Sequence, residues 1–508
     1  MTLAQMTSTS LEPGLTLGEL GAELASLGAR LTGDPGVRIS DVRQDSRRVV
    51  PGDLFAARSG GQSDGTSFVR DSVARGARAV MIQRGTALPD VRVPIIEVPD
   101  VRLAVAFAAE AVHHHPSRSV SVVGITGTNG KTTTSYLTAA AVAAAGGRVG
   151  RLGTLGFAFE DDVVDSALTT PEADEVTRLV ARIRNRGGSH LVMEASSHAL
   201  SLCRVEALSF AVAVFTNLTQ DHLDFHGSMD AYAAAKLRLF TELSPKVAVV
   251  NVDDAFGVTI AEGASGRVLR VSKRPGGADV CPLRVSVDAR GIRGTVRLPS
   301  GQVEIVSRLV GAHNLDNLLA ALAVVEGLGL DPERAARGLE SAPAVPGRLE
   351  RCDTPDDDVL VLVDYAHTPD ALERVLQTCR TLTAGELICA FGCGGDRDRG
   401  KRPKMGDAVG RLARRAVVTS DNPRSEEPSA IVRDIVPGLD AHQIPYEIEL
   451  DRARAIDRAI LSASPGDVVL IAGKGHEPYQ ILGSERREFD DRVEARRALA
   501  LRRAGRRS

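Results

Sequence analysis

The six cysteines (Cys203, Cys281, Cys352, Cys379, Cys389 and Cys393) contain no CxxC pair, and several fall in apparent strands or helices. That usage fits reduced thiols in a cytosolic protein. No apolar run reaches the roughly 18 residues a membrane helix needs, and the first residues lack a charged-then-apolar signal pattern. A cytoplasmic chain with neither export nor membrane insertion is therefore expected. Charge of one sign is also missing: 62 Lys and Arg stand against 65 Asp and Glu, a net −3. A nucleic-acid partner thus has no bulk electrostatic footing. The arginines near the end (Arg496, Arg497, Arg502, Arg503, Arg506 and Arg507) are expected to form a solvated helix and tail, not a binding arm. At 508 residues the chain exceeds a single core, so two to four domains are expected.

What is present begins with Ser119 to Gly147. Val120 to Ile125 reads as an apolar strand, followed by Thr126-Gly127-Thr128-Asn129-Gly130-Lys131-Thr132-Thr133-Thr134 and an alanine-rich helix. This is the pattern of a phosphate-binding loop between strand and helix. Glycines let successive N–H groups face inward, the helix start adds partial positive charge, and Lys131 reaches the β/γ phosphates of ATP or GTP. The spacing is unusual, because Ile125 stands five residues before Gly130 and the extra glycines are Gly124 and Gly127. A chance Gly/Thr-rich turn is the alternative, and the flanking strand and helix weigh against it.

His113-His114-His115-Pro116-Ser117-Arg118 precedes this strand and reads as a linker. Three adjacent histidines could bind metal, but neighbours in an extended linker point apart, which favours a structural reading. A second break is expected near Ala342 to Gly347, where Pro343 and Pro346 interrupt the helical pattern.

Beyond it, four apolar strands each lead into a polar loop and a helix. Val359 to Val363 leads to Asp364-Tyr365-Ala366-His367-Thr368, and Leu387 to Phe391 to Gly392-Cys393-Gly394-Gly395-Asp396-Arg397-Asp398-Arg399. Val417 to Thr419 leads to Asp421-Asn422-Pro423-Arg424-Ser425, and Val468 to Ile471 to Gly473-Lys474-Gly475-His476-Glu477. The alternation predicts a mostly parallel sheet covered by helices, with ligands outside the carboxyl ends of its strands. Any one loop could be ordinary turn chemistry; four loops rich in Arg, Asp, His and Gly point to a site.

The middle of the chain adds Glu194-Ala195-Ser196-Ser197-His198 after Leu191-Val192-Met193, and Thr216 to His222 after Val212 to Phe215. Glu194 and His222 at the sheet edge of the phosphate loop could hold Mg²⁺ against ATP oxygens, although magnesium usually takes oxygen ligands. Lys236, in Tyr232-Ala233-Ala234-Ala235-Lys236, reads on pattern alone as a surface residue of a helix.

Together, Gly124 to Thr132, Glu194 to His198, Thr216 to Gly227, Gly311-Ala312-His313-Asn314-Leu315-Asp316-Asn317 and Asp364-Tyr365-Ala366-His367 resemble the Mur ligases, in order over nearly the whole chain. Within that family, Asp45-Ser46-Arg47 and Asp421-Asn422-Pro423-Arg424 resemble members that add meso-2,6-diaminopimelate. The resemblance implies an α/β fold of three domains. These are a small N-terminal α/β domain binding the UDP-sugar (1–115), a central ATP-binding domain of P-loop type with a parallel-rich sheet (116–346), and a C-terminal Rossmann-like domain receiving the amino acid (347–508). It implies an amide-forming ligase of peptidoglycan precursor synthesis: ATP phosphorylates the D-glutamate side-chain carboxylate of a UDP-N-acetylmuramoyl dipeptide, and an amine attacks the acyl phosphate. A monomer with small-molecule substrates, ATP and two Mg²⁺ ions is the implied working form.

Residue roles follow from the same resemblance. Gly127, Thr128, Asn129, Gly130, Lys131, Thr132 and Thr133, with Asn314, Arg348 and Asp364, match nucleotide contacts; Thr132 would hold one Mg²⁺, and Glu194 and His222 the second. Lys236 matches a lysine carbamylated in the family, which turns a cation into an anionic metal ligand; an amine kept neutral by burial could favour this. Gln44, Ser46, Gly61, Gln62 and Ser63 match the uridine end, and Thr169, Thr170, Ser196 and Arg204 the muramoyl-dipeptide end. Leu168, Leu202 and Gly61 depart from residues some relatives carry at these contacts. Arg397, Asp421, Asn422, Pro423, Arg424, Gly473 and Glu477 would form the diaminopimelate pocket, Arg424 pairing the far carboxylate and Glu477 an ammonium. The alternatives are the same ligase using L-lysine, a folylpolyglutamate synthase-like ligase, and a non-enzymatic nucleotide switch. The roughly 115 residues before the phosphate loop argue against the folate type, and the four polar loops against the switch.

Overall fold

The computed structural model describes residues 14–58 and 64–507. The chain divides into two compact units. One runs to Leu283 and includes Thr295–Glu304 and Asp316–Leu339; the other comprises Arg284–Gly294, Ile305–Leu315 and the chain from Glu340 onward.

The first unit carries two large sheets. A five-stranded sheet orders Arg30–Thr32, Ile95–Val98, Ala79–Gln83, Asp53–Ala57 and Asp41–Arg43, parallel except for the Arg30–Thr32 edge. The helix Val101–Val112 packs Val101, Ala104, Val105 and Ala108 into a core with Leu54, Ala79 and Met81, and its start is capped by the Asp100 carboxylate. An eight-stranded sheet follows, in the order Asp162–Val164, Gly156–Phe159, Val149–Gly153, His190–Glu194, Ser121–Thr126, Phe210–Phe215, Val247–Asn251 and Arg267–Val271. Only its first two pairings are antiparallel. Ser121–Thr126 lies between His190–Glu194 and Phe210–Phe215, so Glu194 stands opposite Ile125 and Phe215 opposite Thr126. That register delivers three polar loops to one edge. Gly124, counted with the phosphate loop by its spacing, belongs to the strand, where a side chain would meet the Phe210 ring.

The histidine run is the end of a helix and a turn, not an extended linker. His114 and His115 have left-handed backbone, with φ of 55° and 50°. His113 is buried, and its Nε2 lies 3.0 Å from Asp41 Oδ1. Although burial opposes it, Arg178, His113 and Arg43 hold the Asp41 carboxyl well below the usual carboxylate range. The structural reading of these histidines therefore holds for His113.

Nearby, Glu110 is 2 % exposed; Oε2 accepts from Ser117 Oγ at 2.8 Å, and buried Oε1 has no partner. Burial pushes its carboxyl up to about 7. A carboxyl raised on folding stabilises fully below its unfolded value of about 4.5, and the benefit disappears as pH climbs through 7. Glu110→Gln, a neutral isostere, is expected to leave stability near pH 4 unchanged and raise it by about 3 kcal/mol at pH 8. Urea unfolding at the two pH values measures this; equal shifts at both would contradict it.

The second unit is built on a six-stranded sheet in the order Glu350–Arg351, Leu360–Asp364, Val468–Ala472, Leu387–Phe391, Arg415–Val418 and Tyr446–Ile448. All pairings but the first are parallel. The four expected strands are present, with Val468–Ala472 inserted between the first two in space. Two features differ from the sequence reading. A short edge strand, Tyr446–Ile448, precedes the helix Arg452–Leu461, and a hairpin of Tyr479–Leu482 and Glu485–Glu488 intervenes before the last helix. That helix, Asp491–Arg507, is not a solvated tail: Ala495, Ala498 and Leu499 are buried. Arg496 pairs with Glu350, Arg502 with Asp358 and Arg503 with Asp357.

All six cysteines are free. Among the described residues, no helix is long and apolar enough to cross a membrane.

Candidate active site

In the first unit the phosphate loop is held from outside. The helix Lys131–Ala144 starts at Gly130, whose φ is 84°. Gly127 has φ of 147°, and a side chain there would collide with Thr216 Oγ1. The loop following Phe210–Phe215 braces it: Thr128 N donates to Asn217 O at 2.8 Å, Asn129 N to Asn217 Oδ1 at 3.0 Å, and Thr216 Oγ1 to Asn129 O at 2.6 Å. Lys131 Nζ donates to Gly127 O and Thr128 O at 2.8 and 3.0 Å, curling over the loop it serves. Thr133 is buried at the helix start.

Glu194 is fully buried at the end of its strand. Oε2 accepts from Thr132 Oγ1 at 3.1 Å and Thr154 Oγ1 at 3.2 Å, and Oε1 from Thr154 N at 2.9 Å. The partly buried Arg151 guanidinium lies close enough to feel its charge. A buried carboxylate ringed by hydroxyls is a hard-oxygen donor set that fits Mg²⁺. His222 lies in the loop after Phe210–Phe215. It has left-handed backbone with φ of 52°, lies 3.5 Å from Asp221, and packs edge-on against His198 with centroids 4.8 Å apart. Among the described residues, no three His, Cys, Asp or Glu side chains gather as a metal site.

Lys236 corrects the pattern-based reading. It is 1 % exposed, with Nζ 4.2 Å from the centre of the Tyr232 ring, and the Tyr232 hydroxyl meets Thr128 Oγ1 at 3.1 Å. Burial, reinforced by the like charge of Lys131, pushes its amine well below the ordinary lysine value.

Towards the five-stranded sheet, Thr169, Thr170, Ser196 and Arg204 come together. Thr170 Oγ1 donates to Glu194 O at 2.8 Å and accepts from Ser196 N at 3.1 Å; Arg204 Nη1 reaches Thr170 O at 3.1 Å, and Thr169 Oγ1 lies 3.3 Å from Thr154 Oγ1. Next to them opens a cavity of about 500 Å³ lined by Arg43, Gln44, Asp45, Arg48, Leu168, Pro171, Glu172 and Asp174, among others. Gln44 Nε2 donates to Asp174 Oδ1 at 2.8 Å, and Ser46 begins the short turn Ser46–Arg48 beside it. Gly61, Gln62 and Ser63 lie outside the described residues.

In the second unit Asp364 is buried, and its oxygens accept from Leu349 N and Ala366 N at 2.7 and 2.8 Å. Arg348 stands 5.4 Å from the centre of the Tyr365 ring, and its buried Nε has no partner. Asn314 Nδ2 donates to Val310 O at 2.8 Å. Asp421, Asn422 and Pro423 are buried beside Gly473, where a side chain would strike Asp421 Oδ2. Arg424 Nη1 donates to Gly395 O at 2.8 Å and Asn422 O at 3.4 Å, and the guanidinium forms no ion pair with a described carboxylate. Asn422 Nδ2 donates to Glu477 Oε2 at 2.8 Å; Arg397 is exposed in the neighbouring loop.

The sequence reading did not single out Thr154, Lys474 or Arg452. Lys474 is fully buried between Asn422 and Glu477. Arg452 pairs with buried Asp491 and donates to Ser420 O and Ala472 O, joining two strand ends of this loop cluster. The signal for Lys474 was its place inside Gly473-Lys474-Gly475-His476-Glu477; Thr154 and Arg452 carried none.

Comparison with known proteins agrees with this layout. Three family descriptions match: Mur ligase family, catalytic domain, over residues 38–113; Mur ligase middle domain over 125–325; and Mur ligase, glutamate ligase domain, over 347–475. A protein of Gloeobacter violaceus named UDP-N-acetylmuramoyl-L-alanyl-D-glutamate–2,6-diaminopimelate ligase is 46 % identical over 97 % of this chain and 99 % of its own. One of the same name from Geobacter metallireducens is 43 % identical over 92 % of this chain and 95 % of its own. A solved structure described under that name superimposes with a TM-score of 0.73 at 33 % identity, covering 96 % of this chain and 99 % of the other. A folylpolyglutamate synthase of Mycobacterium tuberculosis, at 20 % identity and a TM-score of 0.56, covers 72 % of this chain and 91 % of its own and shares the fold. With the phosphate loop, its bracing strand ends and the polar loops of the second sheet in place, these matches establish that the chain belongs to the Mur ligase family.

Proposed function

We propose that this ligase joins meso-2,6-diaminopimelate to the D-glutamate side-chain carboxylate of UDP-N-acetylmuramoyl-L-alanyl-D-glutamate at the expense of ATP, in peptidoglycan precursor synthesis. The relatives carry that activity in their names. The observation that carries the amino-acid choice is Arg424, a guanidinium aimed by two backbone carbonyls and paired with no described carboxylate. It offers a fork for the carboxylate that distinguishes diaminopimelate from lysine.

A carboxylate is a poor electrophile, so its oxygen first attacks the γ-phosphorus of ATP and ADP leaves. The diaminopimelate amine then attacks the acyl carbon, and the phosphate departs with the C–O bond electrons while the amine loses a proton. Gly127 to Thr133 hold the triphosphate through backbone N–H groups and Lys131, which exchanges its loop carbonyls for phosphate oxygens. Arg348, with an unpartnered buried Nε, suits an anionic nucleotide contact, alongside Asn314 and Asp364. Thr132, Glu194, His222 and carbamylated Lys236 would hold Mg²⁺, which supplies charge neutralisation at the transferred phosphoryl group. The cavity by Gln44 and Ser46 would take the uridine end, and Thr169, Thr170, Ser196 and Arg204 the peptide end. Residues 1–115, 116–346 and 347–508 would form the UDP-sugar, ATP and amino-acid domains of a cytoplasmic monomer.

Phosphate release from ATP with Mg²⁺ and the UDP-dipeptide tests this. Release is expected with diaminopimelate, yielding a product heavier by one diaminopimelate residue, and not with L-lysine. Preference for lysine would overturn the Arg424 argument, and no release with either would overturn the substrate assignment.

A further inference from the structure

Lys474 is 0 % exposed at the carboxyl end of Val468–Ala472, and none of the roles assigned above uses it. A fully buried ammonium survives only where its charge and donors are met. Nζ donates to Glu477 Oε2 at 3.2 Å and Asn422 Oδ1 at 3.1 Å, and the Tyr479 ring centre lies 5.4 Å away.

The hydrogen-bond directions are determined. Asn422 Oδ1 receives two donors, Lys474 Nζ and Ile481 N, the latter at 3.0 Å, so the amide cannot turn round without setting N–H against N–H. Its Nδ2 must then face Glu477 Oε2, at 2.8 Å. Glu477 Oε2 thus takes both internal donors, while Oε1 has no partner among the described residues and the side chain is 18 % exposed. One oxygen is anchored and neutralised from behind; the other is left for a cation from outside.

We infer that Lys474 is a positioning residue for the acceptor amino acid: by pinning Glu477 Oε2 together with Asn422, it presents Oε1 to the ammonium beside the carboxylate that Arg424 pairs. The reacting amine must keep a free lone pair, so the ammonium held here is the far, non-reacting one. This rests on the proposed use of diaminopimelate. The lysine acts through Glu477 and makes no contact of its own with substrate.

The test compares meso-diaminopimelate with 2-aminopimelate, which keeps both carboxylates and lacks the far amino group. Lys474→Met retains length and loses the charge and donors. It is expected to raise KM for diaminopimelate about tenfold, leave KM for 2-aminopimelate within about twofold, and leave KM for ATP and the UDP-dipeptide unchanged. Lys474→Arg is expected to restore part of the preference. A lysine that merely braced the loops would shift both acceptors alike, and that result overturns the inference, as does an unchanged preference. Should Lys474→Met fail to fold, Lys474→Gln, which keeps a donor without the charge, is read by the same ratio. Wild-type enzyme that turns over neither acceptor would instead defeat the proposed substrate, so the two failures are separable.

Discussion

Arg424→Ala is expected to lower kcat/KM for diaminopimelate about a hundredfold, corresponding to about 3 kcal/mol, while KM for ATP stays within about twofold. The backbone at Arg424 is left-handed, with φ of 51°, and is fixed on both sides: its N–H donates to Ile481 O at 3.1 Å and its carbonyl accepts from Gly483 N at 2.8 Å. Alanine meets the same backbone demand as arginine, so the truncation removes the guanidinium without releasing the loop. What is lost is a fork already oriented through Nη1 to Gly395 O and Asn422 O, leaving its remaining donors for a ligand carboxylate. Arg424→Lys retains charge but not the planar pair of donors, and is expected to recover only a small part of the loss. Steady-state kinetics with each substrate varied in turn measures the effect. An equal rise in KM for all three substrates would mean that Arg424 only braces its turn.

The parts of this site legible in sequence are those whose partners lie within one strand, turn and helix. The phosphate loop is such a unit, since glycine spacing, the following lysine and an apolar strand are read from adjacent residues. The four loops of the second sheet were legible because each follows an apolar run, and parallel strands put all such loops on one edge. Residues that depend on distant partners stayed hidden. Lys474 meets Asn422 from 52 positions away, and Arg452 meets Asp491 from 39 positions away. The hairpin after Val468–Ala472 was missed because Glu485–Glu488 is wholly charged and exposed, which gives no apolar alternation. The edge strand Tyr446–Ile448 has two exposed residues of three. The closing helix looked solvated from its arginines, whose partners Glu350, Asp357 and Asp358 lie more than a hundred positions earlier.

Lys236 shows the same limit with the largest chemical consequence. On the alanine-rich helix Met229–Thr241 the sequence marks no clear buried face, yet Lys236 is sealed beneath Tyr232 with Lys131 nearby. Both burial and that like charge disfavour the protonated amine, and a neutral amine is what CO₂ must meet to form a carbamate. The sign follows: above the lowered value the amine is free to carry CO₂, and as pH falls through it the amine takes a proton and CO₂ leaves. Wild-type enzyme is therefore expected to show one added CO₂ by intact-mass measurement under native conditions. Activity should fall when the enzyme is held in CO₂-free buffer at mildly acidic pH, then return with bicarbonate at neutral pH. Lys236→Ala is expected to lose about 10³-fold in kcat, with no response to bicarbonate and with the UDP-dipeptide still bound, because the loss is of anionic charge at the phosphoryl-transfer centre, not of a substrate contact. Full activity after CO₂ removal, or a Lys236→Ala variant near wild-type rate, would exclude the carbamate and leave Lys236 as a packed helix residue.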